Sequence, residues 1–242
     1  MDTIKIEGRR PKMIAHRGLS GIERENTYPA FVAAGNRSYY GIETDVHVTA
    51  DGQFVIIHDE TTGRVSLGAN DINVEASPFD AVKDVVLPDL DGSTARRDIR
   101  IPLLADYVAI CKKYGKKCVL ELKNRMETAD IAKMIELIKA LDYLENVIFI
   151  SFSYENCADL RAFLPDAAVQ FLTSEPMSDA ILERLTANRL DLDIYYPRIN
   201  GEWIEKLHAL GIKVNVWTCD TKEHAEALAE MGVDFITSNI LE

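Results

Sequence analysis

Two charged pairs in this sequence share one spacing. Glu43 and Asp45 lie in Ile42-Glu43-Thr44-Asp45-Val46, and Glu121 and Lys123 lie in Val119-Leu120-Glu121-Leu122-Lys123. In an extended strand, residues i and i+2 point to the same face, so each pair projects to one side. Converging carboxylates repel unless a proton or a cation sits between them. A hard divalent ion, Mg2+ or Ca2+, takes oxygen ligands of this kind, and Glu121 is a third carboxylate able to complete the set. Lys123 is a cationic point charge suited to a phosphate oxygen. The competing readings are acids that face solvent for the first pair and a structural ion pair for the second.

Two histidines add proton-transfer chemistry. His16 precedes Arg17 and Gly18, and His58 ends the run Ile56-Ile57-His58. Imidazoles titrate near neutral pH and can serve as an acid/base couple. The Arg17 guanidinium can grip a phosphate bidentately, and Gly18 lets the backbone turn sharply beside a ligand. A lone histidine is more often structural, so it is the neighbouring carboxylates that single out His16 and His58. His47 continues the alternation of Glu43 and Asp45, which leaves an auxiliary role open to it. His208 and His224 have no such company. Trp217 could wall a substrate's carbon skeleton or simply pack, and Phe152, Tyr195 and Tyr196 also fall at strand ends where they can shape a pocket.

These side chains lie far apart in the chain, so the elements must bring them together. Short apolar strands alternate with amphipathic helices throughout. Strands are predicted at 12–15, 41–48, 117–122, 147–152, 168–172, 190–195, 213–218 and 234–237, with a short extra strand at 54–58. Helices are predicted at 27–36, 103–114, 128–141, 154–163, 178–187, 200–210 and 221–230, with Thr27 as the first N-cap and Pro29 in its first turn. Residues 61–100, rich in Gly, Pro, Asp and Asn and poor in periodic apolar positions, read as an insertion with a short helix near 79–86. Eight strands joined by helices imply right-handed parallel crossovers. The predicted fold is α/β: a (β/α)8 TIM barrel in one domain over 1–242, with a small insertion after strand two. An open doubly wound sheet is the rival, disfavoured because no GxGxxG turn follows the first strand. In such a barrel the site lies at the strands' C-terminal ends, where His16, Arg17, Glu43, Asp45, His58, Glu121, Lys123 and Trp217 all fall.

Composition narrows the classes further. The chain has 242 residues, about one barrel's worth at ~250, and 47% are hydrophobic. The formal net charge of −12 argues against a nucleic-acid partner, which calls for a basic surface. It also repels any anionic substrate unless a bound cation reverses the sign locally. The four cysteines form no CxxC pair, so neither a disulfide framework nor a zinc cluster is expected. No run approaches the ~20 apolar residues of a membrane span. Residues 1–10 lack the apolar core of a secretory signal, so the chain as given reads as cytoplasmic; a signal peptide removed beforehand would make it exported. Oligomeric state is not readable.

Several of these motifs resemble the glycerophosphodiester phosphodiesterase family. The resemblance is carried by His16-Arg17-Gly18, Glu25-Asn26-Thr27 leading to Ala30-Phe31, Ile42-Glu43-Thr44-Asp45-Val46, Thr49-Ala50-Asp51-Gly52, Val55-Ile56-Ile57-His58-Asp59, Ile101-Pro102-Leu103-Leu104, Glu121-Leu122-Lys123, Val214-Asn215-Val216-Trp217-Thr218 and Gly232-Val233-Asp234-Phe235-Ile236-Thr237. They run in order from about residue 11 to 240. The resemblance implies Glu43, Asp45 and Glu121 as ligands of one divalent cation, His16 and His58 as the acid/base pair, Arg17 and Lys123 on the phosphate, and Trp217 in a glycerol pocket. The 61–100 insertion stands where this family carries a small subdomain. One departure is Thr237-Ser238-Asn239, where family members often read Thr-Asp; it leaves a terminal loop contact open. The implied activity is metal-dependent hydrolysis of a small-molecule glycerophosphodiester to glycerol 3-phosphate and an alcohol, through a cyclic phosphate. The alternatives are a phospholipase D-like lyase that stops at the cyclic product and a non-catalytic phosphate-binding barrel.

Overall fold

The computed structural model describes residues 2–8 and 11–242. Eight parallel strands close into a ring: β1 (Lys12–Ala15), β2 (Gly41–Val48), β4 (Lys117–Leu122), β5 (Val147–Ser151), β6 (Ala168–Thr173), β7 (Asp191–Tyr195), β8 (Val214–Trp217) and β9 (Phe235–Ser238). The β1–β2 pairing completes the circle, so no ring strand is left as an edge. β3 (Phe54–Ile56) pairs antiparallel with β2 outside the ring. It is two residues shorter than predicted, and His58 lies on the turn beyond it.

Helices α1 (Tyr28–Gly35), α3 (Leu104–Tyr114), α4 (Thr128–Ala140), α5 (Tyr154–Phe163), α6 (Asp179–Ala187), α7 (Gly201–Ala209) and α8 (Lys222–Met231) connect the ring strands. Their ends are chemically specified. The Ser153, Ser178 and Asn200 side chains accept the N–H groups of Asn156, Ile181 and Trp203. Gly115 closes α3 in a left-handed conformation, φ 64. α1 starts where expected, with Thr27 at the N-cap and Pro29 in the first turn, but Thr27 makes no side-chain cap, because its buried hydroxyl donates to Arg24 O at 2.5 Å.

Apolar faces of the helices pack on the outside of the ring, around residues such as Phe31, Leu104, Tyr107, Leu120 and Phe149. Inside, Ile14, Val119, Ile148, Ile150, Leu172 and Phe235 form a second cluster. That interior is not wholly apolar. Asn215 Nδ2 donates to Gln170 Oε1 (3.2 Å) and Thr237 Oγ1 to Asn215 Oδ1 (3.3 Å).

The insertion has a core of its own, which its lack of periodicity concealed. Val65, Val74, Val82, Val85, Leu87 and Ile99 bury together with Val55 and Ile57 of the β3 region and Ile101 just beyond the insertion. Turns deliver these residues to one cluster at irregular spacing, so neither a period of 2 nor one of 3.6 appears. Its helix, α2 (Phe79–Lys83), ends three residues before the predicted limit, with Asp84 as C-cap. All four cysteines are buried and free. Among the described residues, no helix is long and apolar enough to cross a membrane.

Candidate active site

The β2–β4 register sets Asp45 opposite Glu121, and Glu43 lies one inward step earlier on β2. The three side chains each offer an oxygen, all within 4.8 Å of one another, and all three are buried. Burial and the charge of Asp45 push the Glu43 carboxyl well above the usual range. The same two causes raise Glu121 to about 7. Burial also acts upward on Asp45, but the charges of Lys123 and Arg17 outweigh it and bring this group to about 2. Lys123 Nζ lies 2.7 Å from Glu121 Oε1 and 3.6 Å from Asp45 Oδ1. Without further positive charge, the cluster therefore holds protons that an ordinary glutamate would have lost. Hard oxygen donors with an unmet need for positive charge fit a divalent cation, so these residues could hold a metal ion.

The turn after β1 is built around this cluster. Arg17 adopts a left-handed backbone, φ 53, a conformation that costs a non-glycine residue of order 1–3 kcal/mol. It aims the Arg17 N–H at Glu43 Oε2, 2.8 Å away. Gly18, φ 76, is forced: a Cβ there would meet Ala30 at 2.7 Å. Asn26 also has positive φ and stiffens the floor, donating to Asp45 Oδ2 (2.8 Å) and accepting from Thr44 Oγ1 (2.7 Å). The Arg17 guanidinium reaches Glu25 at 2.9 Å and Asp45 at 3.6 Å.

The two histidines are held by different partners. His16 Nδ1 lies 2.8 Å from Asn239 Oδ1, and its Nε2 lies 3.9 Å from Glu43 Oε2. Burial, then the charge of Arg17, lowers the His16 ring to about 4. His58 Nδ1 lies 2.6 Å from Asp59 Oδ1; burial lowers this ring too, against the opposing charge of Asp45. Arg64, from the insertion, donates to Asp59 Oδ2 (2.5 Å) and to both oxygens of Glu25 (2.8 and 2.9 Å). A continuous chain thus runs His58–Asp59–Arg64–Glu25–Arg17. Burial acts upward on Glu25, but Arg64 and Arg17 together bring its carboxyl to about 2.

A cavity of about 80 Å3 lies between these groups and an apolar wall of Ile150, Phe152, Leu172 and Trp217. Trp217 meets the Phe152 ring edge-on at 5.7 Å and the Tyr195 ring at 5.5 Å. Tyr195 is thus a buttress of Trp217, and Tyr196 leans in turn on Tyr195. The buried Asp193 joins the lining, its carboxyl driven up by burial and by the charge of Glu121. A second cavity of about 480 Å3 adjoins at His16 and Arg17, edged by Ser20, Glu25, Asp220 and Asn239. A cavity of about 580 Å3 opens at the strands' N-terminal ends, lined by Lys12, Lys117 and Phe235 among others, away from the histidines and the carboxylate cluster.

His16, Arg17, Glu43, Asp45, His58, Glu121, Lys123, Phe152 and Trp217 therefore meet at one rim. Lys123 touches the carboxylates from the side and does not line the small cavity. His47 serves elsewhere: its Nδ1 lies 2.7 Å from Glu75 and its Nε2 3.3 Å from His58 O, tying β2 to the insertion and to the turn that bears His58. Residues without an assigned role in the sequence reading are Glu25, Asn26, Asp59, Arg64, Asp193, Asp220 and Asn239. The first three stood inside quoted motifs, which was their signal. Arg64 was hidden in an aperiodic segment, and Asp193 looked like one more strand polar residue.

Comparison with known proteins gives a consistent result. Residues 16–241 match the model of the glycerophosphoryl diester phosphodiesterase family. The chain is 31% identical over 228 residues to the uncharacterised protein YqiK of Bacillus subtilis, covering 92% of each. It is 29% identical over 236 residues to a glycerophosphodiester phosphodiesterase of Caldanaerobacter subterraneus, covering 94% of this chain and 93% of that one. Among solved structures, an Oleispira antarctica phosphodiesterase in complex with the product sn-glycerol-3-phosphate superposes with TM-score 0.85 at 27% identity, covering 95% of this chain and 93% of that one.

Proposed function

Because the chain belongs to the glycerophosphoryl diester phosphodiesterase family, we propose that it is a phosphodiesterase hydrolysing glycerophosphodiesters to glycerol 3-phosphate and an alcohol, with a divalent cation, Mg2+ or Ca2+, at Glu43, Asp45 and Glu121. The observation that carries this reading is the meeting of three buried carboxylates with two histidines and Arg17 around one small cavity. The product named for the Oleispira relative supports the substrate class.

In this reading the glycerol moiety lies against Trp217 and Phe152, with its 2-hydroxyl beside phosphorus. One histidine takes the hydroxyl proton while the other protonates the departing alcohol oxygen. The oxygen attacks within the same molecule, which spares the entropy of recruiting a nucleophile. The resulting cyclic phosphate is then opened by water with the two roles reversed. Arg17, and Lys123 beside it, place positive charge against the phosphoryl oxygens as negative charge grows there. A cation held by Glu43, Asp45 and Glu121 would supply further positive charge to the phosphoryl group.

The test is a coupled assay for released glycerol 3-phosphate over glycerophosphocholine, -ethanolamine, -inositol and -glycerol, with and without divalent ions. Turnover that needs the ion is expected. Phosphorus NMR of the mixture separates hydrolysis from a lyase, since a lyase accumulates cyclic phosphate. Binding of these substrates with no turnover under any condition would overturn the enzymatic reading.

A further inference from the structure

On the side of His16 away from the carboxylate cluster, a chain of polar groups ends on Nδ1 of its ring. Asn239 follows β9 and faces three groups. Its Nδ2 donates to Asp220 Oδ2 at 2.6 Å, and its Oδ1 lies 2.8 Å from His16 Nδ1 and 2.6 Å from Ser20 Oγ. Asp220 is anchored in turn: its other oxygen accepts from the Asn239 backbone N–H (2.7 Å) and from Ser238 Oγ (2.9 Å).

An amide can present oxygen or nitrogen to either neighbour, but an ionised carboxylate only accepts. Facing Asp220, the Asn239 amide must turn its NH2 that way. Its oxygen is then left for the imidazole, and an oxygen acceptor demands a proton on Nδ1. A neutral imidazole has a single N–H, so Nε2 is left with its lone pair. Nothing across the ring competes for that proton, because Glu43 Oε2 at 3.9 Å from Nε2 is beyond hydrogen-bond reach.

We infer that Asp220, acting through Asn239, is a positioning residue that fixes the His16 tautomer with Nδ1 protonated and Nε2 ready to accept. Neither Asp220 nor Asn239 touches the reacting atoms. Their effect is to turn a carboxylate, by way of an amide, into a directional acceptor for one imidazole nitrogen. His16 is thereby set to take the first proton of the proposed reaction. The inference rests on the proposed acid/base reading for its catalytic consequence but not for the tautomer itself.

The experiment is nitrogen–proton correlation NMR of the histidine rings in 15N-labelled full-length protein at pH 7.5 with saturating Mg2+, alongside steady-state kinetics. In the wild type, His16 is expected to show a protonated Nδ1 and an unprotonated Nε2. Asp220→Asn frees the Asn239 amide to reverse, so the proton is expected to move to Nε2, with kcat falling about 10²-fold and KM little changed. The exchange variant Asp220→Asn with Asn239→Asp returns an obligate acceptor to His16 and is expected to restore both the tautomer and most of kcat. A wild-type His16 protonated on Nε2, or an Asp220→Asn protein with unchanged tautomer and kcat, overturns the inference, as does an exchange variant that restores neither. The ring spectra need no turnover, so a wild type that hydrolyses none of the test substrates would sink the proposed function while leaving the tautomer result readable.

Discussion

Arg64 donates from Nε to Asp59 Oδ2 at 2.5 Å, while the other oxygen of Asp59 lies 2.6 Å from His58 Nδ1. A residue of the insertion therefore holds the carboxylate that orients one of the two central imidazoles. Asp59→Ala is expected to lower kcat about 10–100-fold, less than the ~10⁴ seen when a buried triad carboxylate loses its charge, because His58 is partly open to solvent. Arg64→Lys is expected to act in the same direction, since an ammonium cannot span Asp59 and Glu25 as a planar fork does. Steady-state kinetics check both, and unchanged kcat in both would show that His58 holds its place without this chain.

His16→Ala and His58→Ala are each expected to cost about 10²–10⁴ in kcat, with circular dichroism unaltered. The His16 side chain is half-buried and its ring is lowered to about 4, so its loss removes no ion pair on which the fold depends. Full turnover in both variants would remove the acid/base pair from the mechanism.

The carboxylate cluster predicts how cation binding depends on pH. In the folded, cation-free chain the Glu121 carboxyl is raised to about 7 from an ordinary 4.5. Between those values the folded state holds a proton that the unfolded state has lost, so this group's contribution to stability falls as pH rises through the window. A cation that takes the proton's place offsets the loss. The Tm increase produced by Mg2+ or Ca2+ is therefore expected to be larger at pH 8 than at pH 5.5, and proton release on binding should be measurable by calorimetry in two buffers. Glu121→Gln is expected to abolish the Tm response. An equal increase at both pH values would argue against protonated carboxyls at the binding site.

Trp217 stands between Phe152 and Tyr195 and walls the small cavity. Trp217→Ala is expected to raise KM about tenfold, the equivalent of ~1.4 kcal/mol of lost apolar contact, with kcat reduced less. Trp217→Phe should retain most of the affinity. A kcat loss as large as that of the histidine variants, with KM unchanged, would place Trp217 in the chemistry rather than in the wall.

Much of the fold was legible because barrel strands obey simple rules. The ring strands of a closed parallel sheet are covered by helices outside, so they read as short apolar runs, and their number was countable. The strand-end acids and histidines were legible for a related reason. A charge on the inward side of a buried strand has no solvent to face, so Glu43, Asp45 and Glu121 had to meet something. The insertion's core went unread, since turns assemble Val65, Val74 and Ile99 at spacings with no period. Thr27 takes the expected N-cap position but makes no cap bond, because its buried hydroxyl donates to Arg24 O.

The residue types and their spacing determined which chemistry was possible here: oxygen ligands, imidazoles and cationic phosphate contacts at the ends of strands. Partners across long sequence separations were decided only by the folded chain. The β2–β4 register sets Asp45 against Glu121, ring closure carries Asn239 to His16 across 223 positions, and Arg64 reaches Glu25 from the insertion. The physical reason is that periodicity reports which face a side chain takes within its own element. Which other side chain it meets depends on pairing and packing between elements, to which no local pattern is sensitive.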